Sequence, residues 1–459
     1  MPALNSARAE PSLKEFKGVV ATPSDKAGYD IKRWAAQIEK RAAYVVYPSD
    51  PQDISIAILF AQSKGFPLAV AGGRHNTGGA SSSEGGLVID MRHMNGIKVD
   101  KEKMIVYLQG GCTSLQVDVE TMKNVGVCGS VGVVGFATGG GLSFTLGQHG
   151  LGVDNIVSAT VVLASGEIVI ANDEVNPDLF WGIRGGGVNF GVIAELGMRL
   201  HIQRPDIYTF ECFYSTDKLP EVVAEINSWL PIQQPTEMIS VTFVIDSVTR
   251  KPAVRIGGFG DFNQEEGERI WSRFFNLGAL RPALSRSVSR TGRVSRRGSV
   301  RHKILNTGVH FNKFDYDTVR RAFDQWVDLT LKAPLSSVMF QFHHYQKLAS
   351  VPVSATAFAH RSLDKTAMIC AVWKDDNFTP HAGEWAESLK ACISSSSTDS
   401  AQQSLGYSCF ADLYSGENAT DTNAREIFGP NYARLQEVKR KYDPDMLFNK
   451  WFCIRPSIA

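Results

Sequence analysis

Features that would mark several common protein classes are missing from this sequence. It has no run of about eighteen apolar residues, so a membrane-spanning helix is not expected, and the segment before Lys17 has no apolar stretch typical of a secretion signal. Basic and acidic residues nearly balance, with a formal net charge of +1 over 459 residues. Such a balance does not favour nucleic acid or a membrane surface as a partner. We expect a cytoplasmic protein.

Cysteine patterns and familiar nucleotide motifs are also missing. The seven cysteines are an odd number, and they begin at Cys112 without the tight spacing of zinc ligands. A disulfide framework and a metal site are therefore both disfavoured. No Gly-x-Gly-x-x-Gly turn between a strand and a helix is followed by an acidic residue about twenty positions later, which argues against a Rossmann site.

Glycine is abundant, and it surrounds one histidine directly after an apolar strand. The strand covers residues 68–71, and the loop after it consists of Gly72, Gly73, Arg74, His75, Asn76, Thr77, Gly78 and Gly79. Because glycine has no Cβ and tolerates positive φ, such a backbone can approach a ligand closely and direct N–H groups at anionic oxygens. The sequence therefore predicts a binding loop that presents His75.

A second glycine-rich segment covers residues 126–141. Its glycine density does not favour a regular helix or a well-packed strand, so we expect a loop whose backbone follows a ligand, with a pyrophosphate as the natural occupant. The candidate binding residues of this segment are Cys128, Val131, Gly132, Gly135, Phe136, Gly139, Gly140 and Gly141.

Both loops, and two later stretches, resemble the berberine bridge enzyme-like oxidases of the vanillyl-alcohol oxidase superfamily. The first of the later stretches consists of residues 150–163 and 178–193 and includes Trp181-Gly182-Ile183-Arg184-Gly185-Gly186-Gly187. The second consists of residues 431–444 and includes Lys441-Tyr442-Asp443-Pro444. The four matches follow the family's order along the chain. The resemblance implies FAD bound covalently through His75 and, as in the two-bond branch of the family, through Cys128 at carbon 6 of the flavin; one bond or two stays open, because a free cysteine is also commonly a small buried apolar residue. It also implies cofactor contacts at Asn189, Gly191, Val192, Ile193 and Asn449.

The sequence departs from the family pattern at three places. The arginine that usually precedes the glycines stands next to the histidine, as Arg74, where a cation would favour a neutral His75. The proline that usually follows the second attachment cysteine is Gly129. The expected Asn-Gln pair near the C-terminus is Trp451-Phe452, which puts flavin contacts there in doubt.

The distribution of strand-like and helix-like patterns along the sequence predicts an α+β protein in three parts. Residues 1–207 would form a PCMH-type FAD-binding domain with two α/β subdomains, residues 208–415 a substrate-binding domain, and residues 416–459 a segment that completes the FAD domain. In the middle part, strand patterns alternate with amphipathic helices, which predicts an antiparallel sheet with helices on one face. The resemblance implies that its open face covers the flavin. The basic run from Arg286 to Lys303 is interpreted as a solvated, partly mobile loop.

The proton acceptor is the least determined element. In relatives it often follows a Phe-x-His-Arg turn, here 358–361, but the corresponding residues Met368 and Thr366 cannot abstract a proton. Alternation along 338–345 places Gln341 and His343 on a polar face. A tyrosine base in relatives corresponds to the segment 407–414, which offers Tyr407, Tyr414 and Asp412. Our candidates are Tyr407, His343 and Gln341.

The resemblance implies an oxidase that takes a hydride from an alcohol, a sugar hemiacetal or a specialised metabolite and reduces dioxygen to hydrogen peroxide. Val131 stands three residues after Cys128, where relatives that are oxidases tend to have valine and dehydrogenases have isoleucine. Two alternatives stay open: a dehydrogenase with another electron acceptor, and a cyclase-like scaffold whose flavin is structural. The substrate's identity and the oligomeric state are not determined.

Overall fold

The structure is a computed structural model that describes most of the chain. The described residues are 12–26, 28–121, 129–202, 204, 206–281, 284–289, 302–394, 407 and 421–458. They form three β-sheets with flanking helices. Within these ranges, no helix is long and apolar enough to cross a membrane.

The first sheet has four short strands in the order β1-β2-β4-β3. The strands are β1 (Val19–Ala21), β2 (Tyr44–Tyr47), β3 (Leu68–Ala71) and β4 (Leu87–Asp90). β1 is antiparallel to β2, whereas β4 is parallel to both of its neighbours. Parallel strands need a crossover, and α1 (Pro51–Ser63) lies between β2 and β3 in the chain. It begins at Asp50, whose carboxylate accepts a hydrogen bond from the Asp53 N–H.

The second sheet has five antiparallel strands in the order β5-β6-β9-β7-β8. They are β5 (Ile97–Asp100), β6 (Ile105–Gln109), β7 (Ile156–Val162), β8 (Ile168–Ala171) and β9 (Val192–Arg199). The chain between β6 and β9 also carries the helices α2 (Ser114–Thr121), α3 (Val133–Thr138), α4 (Leu146–His149) and α5 (Pro177–Gly186).

The third sheet is larger, with seven antiparallel strands in the order β13-β10-β12-β11-β15-β16-β14. They are β10 (Asp206–Tyr214), β11 (Glu237–Ile245), β12 (Pro252–Gly260), β13 (Leu284–Ser289), β14 (Lys303–Phe311), β15 (Ser337–Phe342) and β16 (Lys365–Trp373). Four helices cover one of its faces: α6 (Leu219–Trp229), α7 (Gln264–Phe275), α8 (Tyr316–Thr330) and, after the short α9 (Gln346–Ala349), α10 (Thr379–Ser394).

Alternation along the strands of this third sheet separates its two faces. Phe340 and Phe342 of β15 join the core beneath the helices, whereas Gln341 between them is buried on the other face. The predicted α+β class, with an antiparallel sheet that has helices on one face, is confirmed. The predicted boundaries at 207 and 415 stay predictions.

The last helices, α11 (Asp421–Phe428) and α12 (Tyr432–Tyr442), return to the second sheet. Leu435 and Val438 of α12, with Phe452 and Ile454 beyond it, join one hydrophobic core with residues of β6, β9 and α5. The buried Lys439 ammonium secures this return. It donates to the Asp443 carboxylate at 2.6 Å and to the carbonyls of Asn189 and Phe448 at 2.6 and 2.7 Å.

Two sequence predictions were wrong in part. Residues Val133–Thr138 were expected in a loop but form α3, because Val133, Val134 and Ala137 pack into the core of the second sheet and outweigh the poor helix propensity of the glycines. The start of the basic run was expected in a loop, but 286–289 belong to β13, which pairs with β10. Residues 290–301 of that run lie outside the described ranges.

Candidate active site

The two glycine-rich segments cross each other at their glycines. A Cβ on Gly73 would lie 2.0 Å from the backbone nitrogen of Gly132, and a Cβ on Gly132 would lie 2.4 Å from that of Gly73. Real Cβ atoms do not approach backbone this closely, so only glycine fits at both positions. Gly132 also bridges to Thr113, which anchors the second segment at the start of α2. The predicted binding loops are therefore one structural unit.

His75 lies at this crossing. Its ring stacks on the Trp34 ring, with centroids 4.9 Å apart and planes 23° apart. Its Nε2 atom is 2.9 Å from the Ser130 hydroxyl, on the second segment. Burial and, to a smaller extent, the nearby Arg74 cation together lower the His75 pKa to about 4. The imidazole is therefore neutral at pH 7.

Contacts of Arg74 fix the conformation of this loop. Its φ is +62°, a left-handed conformation that is uncommon outside glycine, and its carbonyl accepts the Trp34 N–H at 3.2 Å. The guanidinium lies 3.2 Å from Asp30, which Arg92 also contacts at 2.7 Å. Burial raises the pKa of Asp30, but the Arg92 hydrogen bond and the two cations outweigh it and bring the pKa to about 2. Asp30 is therefore ionised and fixes Arg74 beside the histidine.

The far end of the second segment meets Tyr407. Gly140 and Gly141 have φ values of +134° and +80°, and both approach other groups closely: Gly140 the rings of Tyr407 and Phe358, and Gly141 the backbone of Gly152. The N–H groups of Gly141 and Leu142 donate to the buried Tyr407 hydroxyl at 2.7 and 2.9 Å. The structure thus brings Tyr407 directly onto the predicted binding segment.

The face of the third sheet that carries no helices, called the uncovered face below, lies next to the His75 loop. At its edge strand β14, the Asn306 N–H donates to the Thr77 hydroxyl at 3.4 Å. Trp34 packs against a small apolar cluster that includes Ile304 and Cys370 of the sheet. The histidine therefore lies between the glycine crossing and the sheet face.

Gln341, on this face, and His343, directly after the end of β15, are almost fully buried. Gln341 Oε1 and both ring nitrogens of His343 have no hydrogen-bond partner within the described part of the chain. Burial lowers the His343 pKa to about 3, so its ring is neutral. Buried polar atoms without partners are costly and rare in native proteins, so these three atoms are candidates for contact with a ligand or an ordered water.

Other predicted cofactor residues have their own contacts within the fold. Val192 and Ile193 are buried in β9, and a Cβ on Gly191 would meet Val161 Cγ1 at 2.6 Å. The Asn189 amide donates to the carbonyls of Gly186 and Phe452. Asn449 is exposed just after Phe448. Their contacts with a cofactor stay predictions, as do those of Asn76, Gly78, Gly79 and Gly139. Cys128, Asp412 and Tyr414 lie outside the described ranges.

Comparison with known proteins identifies the family. A model described as an FAD binding domain matches residues 42–172, and one described as berberine and berberine like matches residues 414–451. The FAD-linked oxidoreductase pgmH of Aspergillus terreus is 32% identical over 461 residues, which cover 93% of this chain and 91% of the relative. The chain belongs to the berberine bridge enzyme-like FAD-linked oxidoreductases. The predicted resemblance and the predicted class of FAD-dependent enzyme are confirmed.

Solved structures agree in fold with this berberine bridge enzyme-like chain. The BBE-like 1 protein of Physcomitrella patens superposes with a TM-score of 0.84 at 18% identity, covering 97% of this chain and 98% of that one. A glucooligosaccharide oxidase of Acremonium strictum, described with a 6-S-cysteinyl, 8α-N1-histidyl FAD, has a TM-score of 0.80 at 20% identity and covers 96% and 98%.

The described residues of this family member fit FAD. The glycine crossing provides backbone without side chains, a Cβ on Gly135 would meet nothing within 4 Å, and a neutral histidine lies beside it. Three contributors were not predicted from sequence: Trp34, Ser130 and Asp30. Each reaches the site through a contact that local spacing does not encode, although Ser130 lay inside the glycine segment and its hydroxyl was a signal.

Proposed function

We propose that this protein is an oxidase that holds FAD covalently through His75 and acts on a small hydroxylated molecule with dioxygen as the electron acceptor. The observation that carries the proposal is His75 itself: a neutral imidazole at the crossing of two glycine loops, facing the uncovered sheet. When bound, FAD supplies hydride acceptance from a carbon–hydrogen bond next to oxygen or nitrogen. The protein supplies position, exclusion of water and a proton acceptor.

The geometry around His75 favours attachment through its Nδ1 atom. Nε2 is engaged with the Ser130 hydroxyl, which leaves Nδ1 as the nucleophilic nitrogen. In the tautomer whose Nε2–H donates to Ser130, the neutral ring keeps its lone pair on Nδ1, and burial with Arg74 keeps the ring neutral. The glucooligosaccharide oxidase described above carries an 8α-N1-histidyl linkage, which supports the same choice here.

We extend the proposal to a second covalent bond, from Cys128 to the flavin. Cys128 directly precedes Gly129, whose carbonyl accepts the Leu115 N–H at 2.9 Å, and it is two residues from the Ser130 that contacts His75. The 6-S-cysteinyl linkage of the glucooligosaccharide oxidase supports this assignment.

For the proton acceptor, the arrangement at Tyr407 supports our first candidate. Two main-chain N–H groups converge on its oxygen, and such donors stabilise a negatively charged oxygen. His343 is the second candidate, because both of its nitrogens lack partners among the described residues. Gln341, on the uncovered face, can orient a substrate. Val131 next to the crossing is our candidate for control of dioxygen access.

The attachment is tested by acid precipitation of the purified protein. We expect the flavin absorbance to stay with the precipitated polypeptide, and peptide mapping to find one flavin joined to two peptides, which contain His75 and Cys128. In His75→Ala the two-peptide link should disappear. Wild-type flavin that remains wholly in the supernatant would contradict the attachment, and an unmodified, alkylatable Cys128 would remove the second bond.

Turnover separates the oxidase from its alternatives. In an oxidase, substrate reduces the flavin and bleaches its yellow colour. Air then reoxidises the flavin, so that the colour returns and hydrogen peroxide is released. A dehydrogenase stays bleached until another acceptor is added, and a scaffold with a structural flavin is never bleached by its ligand. A reduced flavin that persists in air would overturn the assignment of dioxygen as acceptor.

A further inference from the structure

Two peptide groups of the segment 140–142 lie between Tyr407 and a short turn, Gly152–Asn155. Their N–H ends, at Gly141 and Leu142, donate to the Tyr407 hydroxyl oxygen at 2.7 and 2.9 Å. Their carbonyl ends accept hydrogen bonds from the first two N–H groups of the turn, at 3.0 and 2.9 Å. Each peptide group is therefore fixed at both ends, and hydrogen bonds arranged in such a chain strengthen one another. Two strengthened donors thus meet at one phenol oxygen.

The Asp154 carboxylate fixes the conformation of this turn. Its Oδ2 atom accepts the Leu151 N–H at 2.9 Å, and the Asp154 N–H donates to the Leu151 carbonyl at 3.1 Å. These two bonds close around the residues between them, whose N–H groups bind the segment 140–142. The fit is close, because a Cβ on Gly141 would lie 2.6 Å from the Gly152 Cα. A small rotation of the turn would therefore move the two peptide groups.

Arg361 forms a bidentate ion pair with the Asp154 carboxylate. Its guanidinium donates to the two carboxylate oxygens at 2.9 and 2.8 Å, and to the Thr356 hydroxyl at 2.9 Å. The Arg361 side chain is only 1% exposed, and that of Asp154 is 13% exposed. A bidentate pair has one preferred geometry, and exclusion of water reduces the screening of its charges. The pair therefore fixes the position of the Asp154 oxygens.

Arg361 also contacts the ring that packs on Tyr407. Its guanidinium carbon lies 5.3 Å from the centre of the Phe358 ring. The Phe358 and Tyr407 rings have centroids 6.2 Å apart, edge to face, and both residues are almost fully buried. One arginine thus supports Tyr407 through two sets of contacts, one that leads to the phenol oxygen and one that leads to the ring.

Other ionisable groups also lie around Tyr407. Tyr345 belongs to the same hydrophobic cluster, and the His360 ring lies 5.8 Å from the Phe358 ring. Arg184 is adjacent through its carbonyl, which accepts the Phe358 N–H at 3.1 Å. These groups are unchanged in the variants used below, so a changed titration of Tyr407 reports on the ion pair.

We propose that Asp154 and Arg361 are positioning residues for proton transfer, because their ion pair orients the two N–H donors that stabilise negative charge on the Tyr407 oxygen. The inference rests on the proposed function, which assigns Tyr407 as the proton acceptor. The phenolate is the form that accepts a proton, so donors that stabilise it increase its population at a given pH. Neither member of the ion pair is assigned a contact with the substrate or the flavin.

The ionisation of Tyr407 can be measured in the flavin-containing protein without a substrate. The protein is labelled with fluorotyrosine, and the fluorine resonance of residue 407 is identified by its loss in Tyr407→Phe. In Asp154→Asn, an NH₂ group replaces one carboxylate oxygen and cannot accept a hydrogen bond from Leu151 or Arg361. We expect the titration midpoint of the Tyr407 resonance to rise by about one pH unit, which is a tenfold smaller phenolate population at a given pH.

Arg361→Lys keeps the positive charge and loses the bidentate contact, so the midpoint should rise in this variant too. It also decides the question if Asp154→Asn does not fold, since an unpaired buried charge is costly. Asp324→Asn is the matched control. Arg320 contacts both Asp324 oxygens at 3.0 and 2.6 Å on the exposed surface of α8, and the control should keep the wild-type midpoint.

An unchanged midpoint in the ion-pair variants, together with a lower melting temperature, is the result of a purely structural role and would overturn the proposal. An equal shift in Asp324→Asn would overturn it as well. So would a wild-type resonance that does not titrate while the protein stays folded, because no phenolate would then form.

Flavin content and turnover separate this inference from the proposed function. If the wild type retains covalent flavin but the ion-pair variants keep its midpoint, the inference fails and the proposed function stands. If the wild type contains no covalent flavin, the proposed attachment fails, and the titration still tests the ion pair because it needs no turnover. If Tyr407→Phe is reduced at the wild-type rate, the assignment of the proton acceptor fails and this inference fails with it.

Discussion

The crossing of the two glycine loops leads to a sharp prediction for Gly73→Ala. The new Cβ would lie 2.0 Å from the nitrogen and 2.6 Å from the Cα of Gly132, where ordinary contacts begin at 3.4 Å. Backbone cannot rotate away as a side chain can, so the loops must separate by more than about 1 Å. Overpacking of this kind costs about 1–3 kcal/mol of stability, and we expect the upper end because both partners are backbone.

For a chain of 459 residues, whose unfolding entropy is roughly 1 kcal/mol/K, the expected cost corresponds to a fall in melting temperature of roughly 1–3 °C, together with a lower ratio of flavin to polypeptide. Gly135→Ala is the matched control for melting temperature alone, since its Cβ would meet no protein atom within 4 Å and it lies inside α3; its flavin content is not a control, because Gly135 is itself a predicted cofactor contact. Alanine is favoured over glycine in a helix by about 1 kcal/mol, so the control should melt at the same temperature or higher. Differential scanning calorimetry and flavin absorbance provide both measurements. Equal melting temperatures for the two variants would refute the crossing.

Three further predictions concern the site. Tyr407→Phe should keep the flavin but slow its reduction by substrate about 10²- to 10⁴-fold in stopped-flow traces, as expected for loss of a proton acceptor; reduction at the wild-type rate would exclude this role. Val131→Ile should slow reoxidation by dioxygen and leave reduction nearly unchanged, and an equal effect on both half-reactions would indicate a packing role instead. Stability should fall as the pH drops below about 6.5. In the folded protein, the buried rings of His310 and His343 have pKa values of about 4 and 3 and stay neutral, whereas in the unfolded chain the same two histidines take up protons. Each contributes up to about 1.4 kcal/mol per pH unit, and a melting temperature unchanged between pH 7 and pH 5 would contradict their burial as neutral rings.

Much of the fold could be predicted where local chemistry agrees with the final structure. Amphipathic helices were expected in the middle part, and one of them, α7, begins at Gln264 because Asn263 accepts the Glu266 N–H while the Glu266 carboxylate accepts the Asn263 N–H. Alternation on β15 correctly separated Phe340 from Gln341, since one face packs under helices and the other does not. Propensity failed in α3, where core packing of Val133 and Val134 outweighs the neighbouring glycines.

The site was predictable only where residues lie close in the sequence. The glycine pairs that surround His75 were visible because a ligand-binding backbone needs several glycines in one short segment. The Trp34 ring, the Asp30 carboxylate and the pairing of Arg361 with Asp154 come from distant parts of the chain, and periodicity does not encode which strands become neighbours. The roles of Gln341 and His343 stay predictions, although their burial without partners among the described residues agrees with a ligand site.

The return of the chain at Lys439 has a consequence for how the protein is made. One hydrophobic core contains Leu108, Phe190, Leu435 and Ile454, so the sheet that follows the first glycine loop cannot complete its core until the segment around Phe452 has left the ribosome. Contacts so distant in sequence form late and slowly. The crossing of the two glycine loops at Gly73 and Gly132 therefore forms in full only after nearly all of the 459 residues have been synthesised. We therefore expect FAD loading to follow the synthesis of α12 and the segment after it, because their residues complete this core.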